Sequence, residues 1–197
     1  AVLVAINDTV VGVIGLADKI KDGSIEAINE LRDCGLELVM LTGDSCTTAD
    51  AIAKEVGLDQ VLSELMPIDK AKAVKNVQFD ELRTGYVAMV GDGINDAAAL
   101  AQSDVGMAIG TGTDVAMESA DITLVRGDLI ASVSAVKLYQ ATVRTIRQNL
   151  FWAFCYNVLL IPTAVMGGLH PMLAAAAMAC SSIFVVGNSL RLKNVRL

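Results

Sequence analysis

No acidic residue follows Asp128. The first 128 residues hold all 22 carboxylates against nine basic residues, a net charge of −13. Behind them stand only six charged side chains, all basic: Lys137, Arg144, Arg147, Arg191, Lys193 and Arg196. An acidic front and a basic, apolar back predict two physical environments in one chain. They exclude a nucleic-acid partner, which needs a clustered basic face on the folded domain. The four cysteines, Cys34, Cys46, Cys155 and Cys180, form no C-x-x-C pair. That spacing excludes a zinc framework, and Cys34 and Cys46 read as reduced cytosolic thiols. The chain has no N-terminal signal peptide, no repeats and no low-complexity segment. It opens at Ala1 in a strand-like run without an initiator Met, as expected of a piece of a longer protein.

Apolar residues are abundant. They make up 54% of the chain, and the mean hydropathy of +0.55 is high for a soluble domain. A membrane portion is expected. The 197 residues suffice for one sizeable domain and a little more.

The front reads as alternating strands and helices. Residues 2–6 and 10–16 are apolar runs around Asn7-Asp8-Thr9, the pattern of a hairpin. Ser24 is placed to cap a helix reaching about Cys34, with Ile25, Ile28 and Leu31 on one face and Gly35 ending it. Residues 36–41 read as a buried strand that delivers Thr42-Gly43-Asp44 to its C-terminal end, and a helix follows over 47–56. A short strand is expected at 61–63. Pro67 then opens a helix that runs to about Gln78. Lys70 sits in its first turn, where a cation opposes the helix dipole, whereas Lys72 and Lys75 read as surface residues. Further strands are expected at 86–90, 105–109 and 122–125, with a short helix at 114–118. This alternation predicts an α/β fold, an open and mostly parallel sheet with helices on both faces.

Two strand ends carry candidate chemistry. The run 89–100, Met-Val-Gly-Asp-Gly-Ile-Asn-Asp-Ala-Ala-Ala-Leu, reads as a strand end, a tight turn and a helix start with Asn95 as N-cap. Gly91 and Gly93 let the backbone turn sharply and approach a ligand. Asp92 and Asp96 then lie at the C-terminal end of a strand, where open α/β sheets bind ligands. Carboxylates grouped there suit Mg²⁺, which takes oxygen donors and usually shares them with a phosphate. Gly-Asp-Gly alone is equally well an Asp/Gly turn with solvated side chains. At the other strand end, the Thr42 hydroxyl and the Gly43 N–H suit a phosphate near a helix start. Thr-Gly-Asp-Ser by itself is also an ordinary strand-to-helix turn.

The back of the chain is helical. Leu129, Val133, Val136, Val143 and Ile146 recur at helical spacing, a stalk with Lys137, Arg144 and Arg147 towards its end. Residues 150–166 and 172–190 are uncharged, of about membrane length, and joined by Gly-Gly-Leu-His-Pro. Basic residues flank both outer ends and none lies in the turn, so both ends are expected in the cytoplasm. A buried helical hairpin is the competing reading. Within the spans, Tyr156-Asn157 and the pair Met178 and Ser182, four apart on one helix face, are polar or polarizable. Such groups face a bundle interior or a substrate path, or act as helix–helix glue. A thioether beside neutral oxygens disfavours Mg²⁺ and Ca²⁺ and suits a soft monovalent ion such as Cu(I).

The run 89–100 resembles the hinge motif of the P-type ATPases, within the wider haloacid-dehalogenase-like superfamily. The resemblance continues through 103–116, Ser-Asp-Val-Gly-Met-Ala-Ile-Gly-Thr-Gly-Thr-Asp-Val-Ala, and through Ser119-Ala120-Asp121. Ala98 departs from it, since Pro is usual there; the local turn should change more than the chemistry. Thr42-Gly43-Asp44 resembles the superfamily's second motif. Tyr156-Asn157 with Met178, Ser181 and Ser182 resembles the heavy-metal, copper(I)-exporting subfamily. The resemblance covers essentially the whole chain. It implies a haloacid-dehalogenase-like, Rossmann-like α/β domain over 1–128, a stalk over 129–147, two transmembrane helices within 148–190 and a basic cytoplasmic tail over 191–197.

The resemblance also implies roles. Thr42 and Gly43 bind phosphate, and Asp44 is structural or a hinge. Lys70 neutralises charge around an acyl-phosphate. Asp92, with Asp96 beside it, binds Mg²⁺ on the turn made by Gly91, Gly93 and Asn95. Tyr156, Asn157, Met178 and Ser182 face one another around the transported Cu(I). In that family ATP phosphorylates the Asp of an Asp-Lys-Thr-Gly-Thr motif, and a Cys-Pro-Cys serves the metal; neither occurs in this sequence. The expected function is therefore part of an ATP-driven Cu(I) pump, with the nucleotide domain elsewhere and no turnover by this chain alone. Implied partners are the metal ion, the lipid bilayer, the remainder of the same ATPase and a copper chaperone. A non-catalytic membrane protein that binds a metal or a partner ATPase, and a membrane-tethered phosphatase of the same superfamily, are the competing readings.

Overall fold

A computed structural model describes residues 2–15, 19–80, 85–110, 114–167 and 171–195. It separates into two compact units, 1–29 with 37–130 and 30–36 with 131–197.

In the first unit, β1 (Val2–Ile6) and β2 (Thr9–Ile14) form an antiparallel hairpin. Asn7 and Asp8 make its turn at φ 50° and 61°, the left-handed region that a tight two-residue hairpin requires and that Asn and Asp tolerate. Helix α1 (Ser24–Asp33) ends where expected. Gly35 takes φ 83°, and the N–H groups of Gly35 and Leu36 return to the carbonyls of Arg32 and Leu31. Its start differs from the reading above. Ser24 is the first helical residue, and the Gly23 carbonyl accepts the first helical bond, from Ala27 N–H at 2.9 Å. The buried face is also rotated. Ala27, Ile28 and Leu31 are buried, but Ile25 is 46% exposed.

The other strands are short. β3 (Val39–Leu41) pairs in parallel with β4 (Gln60–Leu62), across α2 (Cys46–Val56). β5 (Ala88–Gly91) follows α3 (Pro67–Gln78) and pairs in parallel with β6 (Val105–Ile109), which pairs in parallel with β7 (Ile122–Leu124). Helices α4 (Ala97–Gln102) and α5 (Asp114–Glu118) make the two crossovers. The parallel pairing matches the expected fold class. Among the described residues, however, β3–β4 and β5–β6–β7 are separate ladders. Side chains rather than hydrogen bonds bridge them: Leu41 of β3 packs against the cluster of Val74, Met89, Ala99, Leu100 and Ala108.

Two carboxylates that the sequence reading gave no role hold this sheet. Asp104 accepts the Val87 N–H at 2.7 Å, while the Asp104 N–H donates to the Val87 carbonyl at 3.0 Å. Asp121 accepts the Gly106 N–H at 2.8 Å and returns its own N–H to the Gly106 carbonyl at 2.9 Å. Each Asp stands just before a strand and closes the ladder's first rung.

In the second unit the expected stalk and first span are one helix, α6 (Ile130–Val165). No helix-breaking residue separates them, and Pro162 stands only one turn from the end. Helix α7 is Pro171–Leu190, followed by a 3-10 turn Arg191–Asn194. By length and composition, one stretch among the described residues is long and apolar enough to cross a membrane, Ala174–Asn194. The apolar part of α6, 150–165, falls short of the roughly 20 residues a bilayer core needs. Near the start of α6, Lys137 pairs with Glu30 and Gln140 donates to the Cys34 carbonyl at 3.3 Å. The hydrogen bond to Glu30 holds the Lys137 amine above its ordinary value.

The two long helices run antiparallel and meet through a polar and an aromatic layer. The Asn149 amide donates to the Ser189 hydroxyl at 3.0 Å, and the Asn188 amide donates to the Asn149 carbonyl oxygen at 2.8 Å. One turn along, the rings of Trp152 and Phe184 meet edge-on at 5.2 Å.

Gly106 gives a direct check on the sheet. A Cβ there would stand 2.8 Å from the Leu100 carbonyl oxygen, a backbone atom with little freedom to move. Gly106→Ala is expected to lower stability by about 1–3 kcal/mol, the usual cost of overpacking, read as a lower denaturant midpoint at unchanged slope.

Candidate functional site

The site is built on the turn after β5. Gly91-Asp92-Gly93 leads into a 3-10 turn, Ile94–Asp96, and α4 starts at Ala97. The Asp96 N–H closes this turn on the Gly93 carbonyl at 3.1 Å. Asn95 is therefore not the N-cap of α4. It lies inside the 3-10 turn and is exposed, and Asp96 flanks the helix. Asp96 makes no side-chain cap bond either, because its carboxylate is drawn elsewhere. Ala98 is the second residue of α4 and exposed, a first-turn position that accepts Ala and Pro alike.

Asp96 Oδ1 stands 2.8 Å from Lys70 Nζ, with the two side chains only 13% and 15% exposed. Lys70 lies in the first turn of α3, where the helix dipole disfavours a cation. A carboxylate at hydrogen-bond distance, in a poorly solvated place, offsets that penalty. Gly91 makes room for the pair. A Cβ on Gly91 would come within 2.7 Å of Asp96 Cβ and 3.0 Å of Asp96 Oδ2. The neighbouring charges differ. Asp69, on the same turn of α3, is bonded by Lys72 at 2.9 Å, and that bond holds its carboxyl below the usual range.

Asp92 is the opposite of Asp96: exposed, and without a hydrogen-bonding partner among the described residues. Its setting suits a hard cation. Mg²⁺ takes one or two carboxylates and fills the rest of its shell with water and phosphate oxygens. No group of three or more His, Cys, Asp or Glu side chains able to hold a metal occurs among the described residues. Asp92 thus fits as a single protein carboxylate. Asp96 fits poorly, because one of its oxygens is bonded to Lys70 and the other lies under Gly91.

The turn after β3 is held separately. The Thr42 hydroxyl donates to Asp44 Oδ2 at 2.8 Å and accepts the Asp44 N–H at 3.1 Å. The backbone of 62–65 clamps this turn through three further bonds: Thr42 N–H to the Leu62 carbonyl, Leu65 N–H to the Thr42 carbonyl, and Glu64 N–H to the Asp44 carbonyl. Gly43 passes close to that segment, and a Cβ on it would lie 3.3 Å from the Leu65 carbonyl oxygen. Its N–H has no partner among the described residues. Asp44 is thus a brace on the Thr42 hydroxyl, and the Gly43 N–H is the donor left for an anion.

The residues expected around a metal in the helices make no hydrogen bond or ring contact with one another's side chains among the described residues. Asn157, Met178 and Ser182 are exposed, with Met178 at 69%. The Ser182 hydroxyl donates to its own helix, to the Met178 carbonyl at 3.1 Å. Tyr156 is half-buried, with its ring 6.5 Å from that of Trp152. What joins α6 to α7 is the Asn149, Asn188 and Ser189 layer and the Trp152–Phe184 contact, which the sequence reading did not single out.

Residues 1–104 match the family model described as haloacid dehalogenase-like hydrolase. Over all 197 residues the chain is 51% identical to a copper-exporting P-type ATPase of Staphylococcus saprophyticus and 52% identical to one of Staphylococcus aureus. It spans 24% of the length of each. Among solved structures, a zinc-transporting PIB-type ATPase in its E2.Pi state superposes with a TM-score of 0.86 at 40% identity, over 96% of this chain and 31% of that one.

The ion pair can be tested without any assay of activity. Asp96→Ala strands the Lys70 charge in a poorly solvated place and is expected to cost on the order of 2–4 kcal/mol, a little below the range for fully buried pairs. Asp96→Ala with Lys70→Met should recover part of that loss. Equal and additive losses, measured by chemical denaturation, would show that the two groups do not interact.

Proposed function

The chain belongs to the haloacid dehalogenase-like hydrolases, and from that membership we propose that it is a segment of an ATP-driven heavy-metal pump that exports Cu(I) across a membrane through an aspartyl-phosphate intermediate. The observation that carries this reading is the division of labour between two neighbouring carboxylates. Asp96 is bonded to Lys70, while Asp92 stands free on a glycine-flanked turn at a strand end. A phosphoryl-transfer site needs both a fixed positive group and an open oxygen donor for a cation.

In this reading Asp92 holds Mg²⁺, which when bound supplies positive charge to the phosphoryl oxygens. Gly91, Gly93 and Asn95 shape the turn that presents it. Asp96 sets the position of Lys70, which faces the acyl-phosphate. Gly43 and Thr42 would hydrogen-bond the oxygens of the phosphoryl group, the first through its N–H and the second once its hydroxyl turns from Asp44. The nucleophilic Asp and the ATP site lie in the remainder of the same ATPase, so this chain alone should not turn over ATP. The second unit contributes the transport path. The α6–α7 pair enters the bilayer, with the α/β unit and the C-terminal basic residues on the cytoplasmic side. A copper chaperone is the natural donor for such a path. Exposed Asn157, Met178 and Ser182 would be covered by the pump's other helices, whose thiolates supply the stronger ligands.

Cu(I) is preferred over Zn²⁺ for a chemical reason, although one structural relative is a zinc transporter. Residues 150–166 and 172–190 hold no Asp, Glu or His. The available donors are a thioether, thiols and neutral oxygens, a set that suits a soft monovalent ion.

Two experiments on the complete pump follow. Asp92→Ala should reduce acid-stable phosphoenzyme below detection at ordinary Mg²⁺; normal labelling would rule out its metal role. Met178→Ala should weaken Cu(I) binding and Cu(I)-stimulated hydrolysis, while phosphorylation by inorganic phosphate survives. Parental Cu(I) stoichiometry and turnover in that variant would remove Met178 from the path.

A further inference from the structure

The second unit carries a feature that metal transport does not use. One face of α6, reaching the edge of its contact with α7, forms an open concavity of about 550 Å³, lined among others by Tyr139, Arg144, Arg147, Gln148, Phe151 and Trp152. Arg144 and Arg147 are three residues apart, so they are neighbours on the helix surface. Both are exposed, and neither has an acidic partner among the described residues. One turn further along, the lining becomes aromatic, with Phe151 64% and Trp152 39% exposed.

More positive charge comes from the other helix. The contacts of Asn149 with Ser189 and of Trp152 with Phe184 fix an antiparallel register. Continued by a few residues, that register brings the 3-10 turn Arg191–Asn194 level with residues 143–147. Arg191 and Lys193 also lack acidic partners among the described residues. Lys137 does not join this group, since Glu30 engages it. No carboxylate exists anywhere in 129–197 to neutralise the cluster.

We infer that Arg144 and Arg147, with Arg191 and Lys193 at the same level, form a binding site for the headgroup of an anionic phospholipid, with Phe151 and Trp152 against the upper acyl chain. Cations just outside a hydrocarbon stretch attract anionic headgroups, and aromatic rings favour that depth. A soluble phosphate would use the cations but not the rings, so the composite lining favours lipid. The inference rests on the membrane placement of α6 and α7 proposed above.

Trp152 is the chain's single tryptophan, and so reports on this site alone. The complete protein, with every tryptophan outside these 197 residues replaced by phenylalanine, would be reconstituted in phosphatidylcholine vesicles containing a fixed fraction of either bromine-labelled phosphatidylglycerol or bromine-labelled phosphatidylcholine, and Trp152 quenching compared. The expected result is stronger quenching by the phosphatidylglycerol, with relative association falling about fivefold for each arginine removed in Arg144→Gln and Arg147→Gln. The lysine variants Arg144→Lys and Arg147→Lys should keep most of the preference. Added inorganic phosphate in the millimolar range should not abolish it. Equal quenching by the two lipids would overturn the headgroup site while leaving the membrane placement intact. So would a preference unchanged in the Gln variants, or one erased by inorganic phosphate. Quenching by neither lipid would overturn both.

Discussion

The ion pair between Lys70 and Asp96 is the interaction around which the α/β unit's candidate site is arranged. A lysine in the first turn of α3 is misplaced with respect to the helix dipole, and burial makes it more so. Asp96 compensates, but only because the chain after β5 has no side chain at Gly91 and coils into a 3-10 turn. Three constraints therefore support one another. Pro67 starts α3 so that Lys70 points at the turn, the glycine opens space, and the tight turn puts Asp96 in that space. With Asp96 engaged, Asp92 is left to face solvent. Packing reinforces the arrangement, since Met89 of β5 and Leu100 of α4 share one cluster with Val74 of α3.

Much of this was legible in the sequence because its signals are local. Asn7-Asp8 between apolar runs specifies a hairpin turn, Gly35 a helix end, and Pro67 a helix start. Alternating short strands and helices gave parallel pairing. The misses share a different cause. Whether Asn95 or Asp96 precedes α4, and whether either one caps it, depends on where Lys70 lies in space, 26 positions away in sequence. The backbone-binding roles of Asp104 and Asp121 likewise require knowing which strand is adjacent. An Asp directly before a strand was the only available hint.

The second unit shows the same limit from the apolar side. Counting uncharged residues after the basic stalk suggests a boundary near residue 148, but a helix breaks only where a residue cannot continue it, and nothing between Ile130 and Val165 breaks α6 before its last turn. The polar or polarizable residues within the spans, Asn157, Met178 and Ser182, are exposed. Those that join the helix pair, Asn149, Asn188 and Ser189, sit nearer its end. That division is consistent with a pair whose outward face meets further helices. The chain is about a quarter the length of the relatives it matches.

The central claim is that Asp92 is the open carboxylate for a cation and Asp96 the fixed partner of Lys70. A structure of the complete protein with Mg²⁺ and a phosphate analogue bound tests it most directly. The account predicts an Asp92 oxygen at about 2.0–2.1 Å from the metal, with the Lys70–Asp96 hydrogen bond intact. A metal bound by Asp96, with Lys70 released and Asp92 turned to solvent, would contradict it.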